Sequence, residues 1–265
     1  MSEKLTIIDA DGLIFYCAYG FKDQLNMIGT SAAKERIDDY ILRILNVTKA
    51  SHYLGFYGEE GKKNFRHGWA TVKPYKGTRK PEAWQTYFKP RLKKHFLEKW
   101  GFIPVGDMEA DDAVIIAHHQ FKDEWDITHV GEDKDMKQVG EFKRYNPKKR
   151  EFENVSHWEG RKFFWSQMIM GDSSDNINGI HGQGKKSPYI GALLEVEDPT
   201  EDKLFEIVRD AYIHKYADEY LYHMTENYIL LNMLTKVNSM DYPKNLNPVV
   251  WNAVEKFSPE LLNDL

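Results

Sequence analysis

Cysteine is almost missing from this 265-residue chain, in which Cys17 is the only example. A single cysteine excludes an internal disulfide framework and favours a reducing compartment. Long apolar runs are missing too, and the N-terminal apolar stretch soon reaches Asp9, so we expect no signal peptide and no membrane span. With 42% hydrophobic residues and no internal repeat, the chain has the composition of a soluble globular protein, which we expect in the cytoplasm.

The net charge of −5 argues by itself against binding to nucleic acid. The charge is distributed unevenly, however. Residues 62–99 contain twelve Lys and Arg against two acids, so this stretch carries +10 while the rest of the chain carries −15. Such a stretch indicates a surface for a polyanion, although a solvated basic helix face would have the same composition.

Short apolar runs alternate with helical patterns through the first 170 residues. Residues 5–8, 52–57, 102–105 and 126–131 predict strands, and the segments between them predict helices, one of which is capped by Ser31. Residues 84–100 carry an aromatic stripe at i, i+4 spacing that Pro90 interrupts, which predicts two short helices. This alternation is typical of an α/β domain with a mostly parallel sheet. After residues 157–170 only helices are predicted, including 203–215 and 218–234, so we expect a boundary near residue 171.

Acidic residues stand at the ends of several of these elements. They are Asp9, Glu59, Glu109, Asp111, Asp112, Asp133, Asp135, Asp172 and Asp175. The carboxyl ends of parallel strands share one edge of a sheet, so many of these acids should meet there. Two unit charges about 5 Å apart at an effective dielectric of about 20 repel by roughly 3 kcal/mol, so such a cluster needs cations. Each acidic pair alone could be a helix cap or a turn, but together they favour Mg²⁺ or Mn²⁺.

The centre of the basic stretch is the sequence YKGTRK at residues 75–80. Lys76 offers a point charge and Arg79 a planar fork to phosphate oxygens, while the aromatic ring of Tyr75 could stack on a base. Residues 171–187, GDSSDNINGIHGQGKKS, predict a glycine-rich hairpin whose backbone amides can face a phosphate. Beside the acids, these basic segments favour a metal-dependent phosphoryl-transfer enzyme that acts on a polyanion.

Six segments resemble, in order, the successive motifs of the 5′-nuclease superfamily: IIDADG, GEEGKKNFR, YKGTRK, MEADD, GEDKDM and GDSSDNINGIHGQGKKS. That superfamily includes flap endonucleases, the 5′-nuclease domain of bacterial DNA polymerases and stand-alone bacteriophage 5′→3′ exonucleases, to which this chain is most similar. The resemblance spans roughly residues 5–195. It implies a PIN-like α/β catalytic domain over residues 1–170 with a short helical arch around 75–100. A helical DNA-binding region with a helix-two-turns-helix element would follow over 171–265.

The resemblance also implies roles for individual residues. Two Mg²⁺ ions, replaceable by Mn²⁺, would be bound, the first by Asp9, Glu59, Glu109, Asp111 and Asp112 and the second by Asp133, Asp135, Asp172 and Asp175. Catalysis would further involve Lys76 and Arg79 at the scissile phosphate. DNA contacts would come from Tyr75, Lys76, Arg79, Lys80, Gly182, Gly184, Lys185 and Lys186. A K⁺ ion at the hairpin would be held by the carbonyls of Asn178, His181 and Gly184.

The implied activity is a structure-dependent 5′-nuclease that leaves a 5′-phosphate and a 3′-hydroxyl. Its substrates would be DNA with free 5′ ends, flaps or nicks, or an RNA:DNA hybrid, and it would act as a monomer in replication or repair, in the host cytoplasm if phage-encoded. Two alternatives remain open. Asp9-Ala10-Asp11-Gly12 resembles the nucleophile motif of haloacid-dehalogenase-type phosphatases, and a non-catalytic DNA-structure-binding protein could keep the same fold.

Overall fold

The computed structural model describes residues 3–235. Within that range the chain divides into two compact units. Unit 1 consists of residues 3–64, 80–136 and 141–155, and unit 2 consists of residues 65–79, 137–140 and 156–235. No helix in this part of the chain is long and apolar enough to cross a membrane.

Strands and helices alternate in unit 1, whereas the longer elements of unit 2 are helical. The strands are β1 (Lys4–Asp9), β2 (His52–Gly58), β3 (Ile103–Val105), β4 (Asp126–Val130), β5 (Phe142–Asn146) and β6 (Glu151–Val155). The helices are α1 (Asp11–Ala18), α2 (Met27–Thr48), α3 (Arg66–Trp69), α4 (Ala83–Trp100), α5 (Ala110–Phe121), α6 (His157–Met170), α7 (Pro188–Glu195), α8 (Glu201–Tyr216) and α9 (Tyr220–Leu231).

The sheet of unit 1 has six strands in the order β3–β2–β1–β4–β5–β6. Strands β1 to β5 run parallel to their neighbours, and β6 pairs antiparallel with β5. The predicted α/β fold with a mostly parallel sheet flanked by helices is therefore confirmed. The four predicted strands are present, but β5 and β6 were missed. In their connection the Asn146 side chain accepts hydrogen bonds from the amides of Lys148 and Lys149, each at 3.0 Å.

Helix α2 begins earlier than the sequence predicted. Asn26, in an extended conformation, precedes the first turn, and its side-chain oxygen accepts a hydrogen bond from the Gly29 amide at 2.9 Å. Asparagine is among the strongest N-cap residues, and this contact satisfies one of the amides at the helix start. The predicted cap at Ser31 was therefore wrong, since Ser31 lies inside the helix.

Helix α4 is continuous, so the prediction of two short helices around Pro90 was also wrong. A proline inside a helix costs about 3 kcal/mol. Trp84, Phe88, Leu92 and Phe96 are all buried, however, and α4 packs against α1 and α2. Burying one large apolar side chain contributes roughly 1.5–3 kcal/mol, so four of them outweigh the proline.

Unit 2 is built from α6, α7, α8 and α9, with the short helix α3 packed on α9. The boundary between the two units does not lie at residue 171, where the sequence predicted a domain boundary. Residues 65–79 and 156–170 cluster with unit 2, because α3 contacts α9 and α6 contacts α7, α8 and α9. The functional domains 1–170 and 171–265 stay a prediction, and residues 236–265 of the second lie outside the described residues.

Candidate metal and phosphate sites

The predicted acids of unit 1 come from one edge of its sheet. Asp9 ends β1, Glu59 follows β2, Glu109 stands between β3 and α5, and Asp133 follows β4. Because β1 to β4 are parallel, their carboxyl ends lie at the same edge. The topology thus explains why acids far apart in sequence share one region.

Asp9 is the most strongly perturbed of these acids. Its Oδ1 accepts a hydrogen bond from the Asp11 amide at 3.1 Å. Burial raises the pKa of Asp9 to about 8, and the negative charges of Asp11, Asp133 and Glu109 act in the same direction. Asp11, Asp133 and Glu109 therefore lie close enough to repel the Asp9 carboxylate.

Asp11 belongs to this cluster, although it was not predicted as a site residue. Its Oδ2 accepts a hydrogen bond from the Gly58 amide at 2.9 Å, and its Oδ1 lies 3.9 Å from Lys93 Nζ. Burial raises the pKa of Asp11, while Lys93 and Lys89 oppose that shift. The i, i+4 spacing of the two lysines on α4 was a sequence signal that both could face the acids.

The acids at the start of α5 also cap that helix. The Glu109 amide donates to Asp112 Oδ2 at 3.1 Å, and the Asp112 amide donates to Asp111 Oδ1 at 2.9 Å. Asp112 is fully buried. Acids in the first turn satisfy free amides and favour the helix dipole, so capping accounts for part of this motif without a metal.

The loop that carries Asp133 and Asp135 is held by a strand that was not predicted. Asp133 Oδ1 accepts the Asp135 amide at 2.8 Å, and the Asp133 carbonyl accepts a hydrogen bond from Arg144 Nη1 at 2.6 Å. Arg144, on β5, is buried and also pairs with Glu153. Strand β5 thus places the loop whose acids were assigned to the second ion.

These acids form a charge cluster and not a ready-made coordination sphere. Within residues 3–235, no three Asp, Glu, His or Cys side chains are arranged as the ligands of one metal ion. The donor set of Asp9, Asp11, Glu109 and Asp133 nevertheless fits a hard divalent cation, because it offers only oxygen ligands and its members raise the pKa of Asp9.

In unit 2, the two predicted phosphate residues meet a predicted metal ligand. Arg79 Nη2 lies 2.5 Å and Lys76 Nζ lies 3.6 Å from the Asp175 carboxylate. The Lys76 amide also donates to the Asp175 carbonyl at 2.8 Å. The structure therefore brings the YKGTRK and GDSSD motifs together. The acids assigned to the second ion are divided between units, since Asp133 and Asp135 belong to unit 1.

Tyr75 has a different environment from the one predicted. Its side chain is only 4% exposed, and its hydroxyl donates to Asp175 Oδ2 at 2.9 Å. Its ring packs edge-to-face against His67, with centroids 5.3 Å apart. Stacking of Tyr75 on a base does not fit this arrangement, because the ring is already covered.

The loop that carries Asp172 and Asp175 is closed by a tight backbone contact. Asp172 and Ile177 exchange two backbone hydrogen bonds, at 2.9 and 2.8 Å. A Cβ on Gly171 would lie 2.2 Å from the Ile177 carbonyl oxygen, and a Cβ on Gly179 would lie 2.2 Å from the Gly171 nitrogen. Only glycine fits at both positions. Buried Asp172 accepts hydrogen bonds from the amide and hydroxyl of Ser174.

The remaining predicted DNA contacts lie on exposed backbone and side chains. Lys80, in unit 1, is exposed, as are Gly182, Gly184, Lys185 and Lys186 in unit 2. Near the predicted K⁺ ligands, the Gly184 carbonyl accepts the Ser187 amide at 2.8 Å, the His181 amide donates to the Tyr216 hydroxyl at 3.0 Å, and Asn178 Oδ1 accepts from Lys73 at 2.6 Å. The K⁺ site remains a prediction.

Comparison with known sequences gives similarity to nucleases, but no family model matches. The chain is 29% identical over 204 residues to a 5′-3′ exonuclease of Mycoplasmopsis pulmonis (strain UAB CTIP), which covers 70% of this chain and 64% of that protein. It is 28% identical over 225 residues to DNA polymerase I of Bacillus subtilis (strain 168), covering 78% of this chain and 24% of the polymerase. The chain thus spans less than two thirds of each of these two relatives.

Two solved structures show a similar fold. A complex of bacteriophage T5 D15 flap endonuclease with DNA and metal ions aligns with a TM-score of 0.62 and 18% identity, covering 96% of this chain and 98% of that one. Flap endonuclease-1 from Methanococcus jannaschii aligns with a TM-score of 0.51 and 13% identity, covering 100% and 94%. At these sequence identities, the structural similarity shows a shared fold and no more.

Proposed function

We propose that this chain is a member of the 5′-nuclease superfamily and a metal-dependent nuclease that hydrolyses phosphodiester bonds of DNA, which its similarity to a 5′-3′ exonuclease and its fold support. The observation that carries the proposal is the convergence of Asp9, Asp11, Glu109 and Asp133 at the carboxyl edge of the unit 1 sheet. Mutual repulsion of this kind is relieved by divalent cations. The basic residues Lys76 and Arg79 supply a complementary site for phosphate.

The proposed substrates are DNA molecules with a free 5′ end, a 5′ flap or a nick, and RNA:DNA hybrids. The enzyme acts as a 5′→3′ exonuclease or flap endonuclease and leaves a 5′-phosphate and a 3′-hydroxyl. Replication or repair, where such ends arise, is the process we assign to it. Similarity to named 5′-3′ exonucleases and the shared flap endonuclease fold support this choice.

We assign two Mg²⁺ ions to the acids, with Mn²⁺ as a substitute. The first set is Asp9, Glu59, Glu109, Asp111 and Asp112, and the second is Asp133, Asp135, Asp172 and Asp175. When bound, such ions activate a water molecule and stabilise the leaving oxygen. The second set draws on both units and rests on the motifs alone.

Lys76 and Arg79 are the residues that we assign to the scissile phosphate. Each would exchange the Asp175 carboxylate for a phosphate oxygen and offset the charge that develops during hydrolysis. Exposed Lys80, Lys185 and Lys186, with the backbone near Gly182 and Gly184, would contact the DNA backbone. A K⁺ ion held by the carbonyls of Asn178, His181 and Gly184 would strengthen the binding of the DNA backbone.

One gel tests the proposal with the full chain and four 5′-labelled substrates: a 5′ flap, a nicked duplex, a blunt duplex and an RNA:DNA hybrid. We expect short labelled products in Mg²⁺ or Mn²⁺ and none in EDTA. Asp133→Ala should still bind DNA but lose about 1,000-fold in rate, since removal of a metal ligand removes transition-state stabilisation. Asp123→Ala, an exposed acid beyond α5, is the matched control and should cleave normally.

Four outcomes would overturn the assignment. Undiminished cleavage in EDTA, or near-native turnover by Asp133→Ala, would remove the metal-dependent mechanism. Hydrolysis of p-nitrophenyl phosphate without DNA cleavage would favour the phosphatase alternative. Tight binding to the flap without cleavage in either metal would favour the non-catalytic DNA-structure-binding alternative.

A further inference from the structure

The segment that carries Lys76 and Arg79, residues 66–79, has little regular structure of its own. It contains the four-residue helix α3 and then turns. We propose that Glu226 of α9 is a positioning residue that fixes this segment, so that Lys76 and Arg79 are held ready for a phosphate. The inference rests on the proposed nuclease function and adds to it a residue that lies outside the sequence of every motif of the resemblance.

Both carboxylate oxygens of Glu226 bind the segment. Glu226 Oε1 accepts hydrogen bonds from the amides of Thr71 and Val72, at 2.9 and 3.0 Å. Glu226 Oε2 accepts the Thr71 hydroxyl at 2.5 Å. Tyr222, one helical turn earlier on α9, also hydrogen-bonds the Thr71 hydroxyl. One buried carboxylate thus binds two consecutive backbone amides and a side chain.

These contacts control position more than overall stability. Thr71 and Val72 are exposed, so water could satisfy their amides if Glu226 were removed. Water would not fix the backbone there, whereas hydrogen bonds to a carboxylate are short and strong. Loss of the Glu226 side chain should therefore release residues 70–73 without unfolding unit 2.

Contacts on either side of Thr71 restrict the same segment. Arg66 is buried and donates from Nε to the Leu230 carbonyl at 3.1 Å and from Nη2 to the Asn232 carbonyl at 2.9 Å, at the carboxyl end of α9. Asn176 Nδ2 donates to the Pro74 carbonyl at 2.9 Å. Glu226 holds the exposed middle of the segment, between the Arg66 and Pro74 contacts.

The backbone at Lys76 gives a reason why such anchoring is needed. Lys76 has φ 53°, a left-handed conformation that is uncommon for a residue other than glycine. A conformation of this kind persists only where surrounding contacts impose it. Val72, held by Glu226, is only four residues from Lys76. Greater backbone mobility at Thr71 and Val72 would therefore also displace Lys76 and Arg79.

The first experiment compares Glu226→Ala, Glu226→Gln and Glu206→Ala, the last being an exposed glutamate on α8. Amide hydrogen exchange without DNA should be faster at Thr71 and Val72 in Glu226→Ala. With a 5′-flap substrate we expect kcat to fall about 10- to 100-fold while KM changes less than about threefold, because a small misplacement affects the chemical step. Glu206→Ala should match the wild type in both measurements.

Glu226→Gln tests whether hydrogen bonding or charge is required. The glutamine oxygen can still accept both backbone amides, and the Thr71 hydroxyl can rotate to accept from the new NH₂ group. We expect this variant to restore slow exchange at Thr71 and Val72 and kcat to within about threefold of the wild type. A merely destabilised protein would not be rescued in this selective way.

A double-mutant cycle decides whether Glu226 acts through Lys76 and Arg79. In a Lys76→Ala, Arg79→Ala background, Glu226→Ala should slow single-turnover cleavage less than about twofold further, since its target is already gone. A full 10- to 100-fold additional loss would overturn the proposal. A wild-type chain that cleaves no DNA overturns the proposed function, whereas unchanged exchange at Thr71 and Val72 overturns the anchoring itself.

Discussion

The acids assigned to the metal ions lie in two opposite electrostatic surroundings. In unit 1, burial raises the pKa of Asp9, and the charges of Asp11, Asp133 and Glu109 raise it further. In unit 2, Asp175 contacts Lys76 and Arg79 and accepts a hydrogen bond from Tyr75. Carboxylates of the same chain are thus repelled by other acids in one unit and neutralised by basic side chains in the other.

The acids near Asp9 would be stabilised by a bound metal cation, whereas Asp175 is already paired with the positive charges of Lys76 and Arg79. A divalent ion near Asp9 would remove repulsion among four carboxylates. A divalent ion at Asp175 would instead have to replace two ion pairs and the Tyr75 hydrogen bond. Unit 1 is therefore the stronger candidate metal centre, and Asp175 in the described arrangement holds Lys76 and Arg79 in place.

The largest expected effect comes from neutralising Asp9. Asp9→Asn should reduce cleavage by at least about 1,000-fold, because a ligand that we propose for the first ion is lost. In EDTA the same variant should melt at a higher temperature than the wild type, since a buried amide is not repelled by Asp11, Glu109 and Asp133. Gel assays and thermal melts with and without Mg²⁺ measure the two effects.

Asp126→Asn, at the other end of β4, is the control and should change neither quantity. If Asp9→Asn were to melt at a lower temperature in EDTA, the carboxylates at this edge would not be repelling one another. The electrostatic difference between the acids of the two units would then be disproved.

Asp175→Asn should have the opposite thermal effect. The substitution removes the charge that balances Lys76 and Arg79, and we expect the free energy of unfolding to fall by roughly 1–3 kcal/mol in EDTA. Chemical denaturation at pH 7 measures this, with Asp218→Asn, an exposed acid of unit 2, as the control. A more stable Asp175→Asn protein would show that Asp175 is strained in the way Asp9 is.

Features governed by local sequence could be predicted. The strands that deliver Asp9, Glu59 and Asp133 are short apolar runs, and the rule that parallel strands end at one edge placed the acids together. The motif order then indicated the nuclease superfamily. These inferences need only neighbouring residues or a general property of sheets.

Features that depend on distant contacts could not be predicted. Pro90 signals a helix break, but the helix is maintained by packing against α1 and α2. Strand β5 is recognised only from its pairing with β4 and β6, and Arg144 on it holds the Asp133 loop. Glu226 has no local pattern at all, because its partner Thr71 lies 155 residues earlier.

A pair of buried histidines tests whether other buried groups of unit 1 also resist ionisation. His118 and His129 are buried, and His129 Nε2 lies 3.0 Å from His118 Nδ1. Burial, followed by the nearby His119 and Lys122, lowers the pKa of His118 to about 4. Burial and neighbouring His and Arg side chains hold the pKa of His129 well below its usual value.

Since the unfolded chain binds protons at these histidines near pH 6.5 and the folded chain does not, the free energy of unfolding should fall as the pH drops from 6.5 towards 4. For His118 alone the loss at pH 5 is about 2 kcal/mol. Urea unfolding at pH 7.5 and 5 should therefore show a smaller pH-dependent loss in a His118→Gln, His129→Gln variant than in the wild type. His52→Gln, at an exposed position, should keep the wild-type slope, and an equal slope in the double variant would mean that the buried pair does not resist protonation.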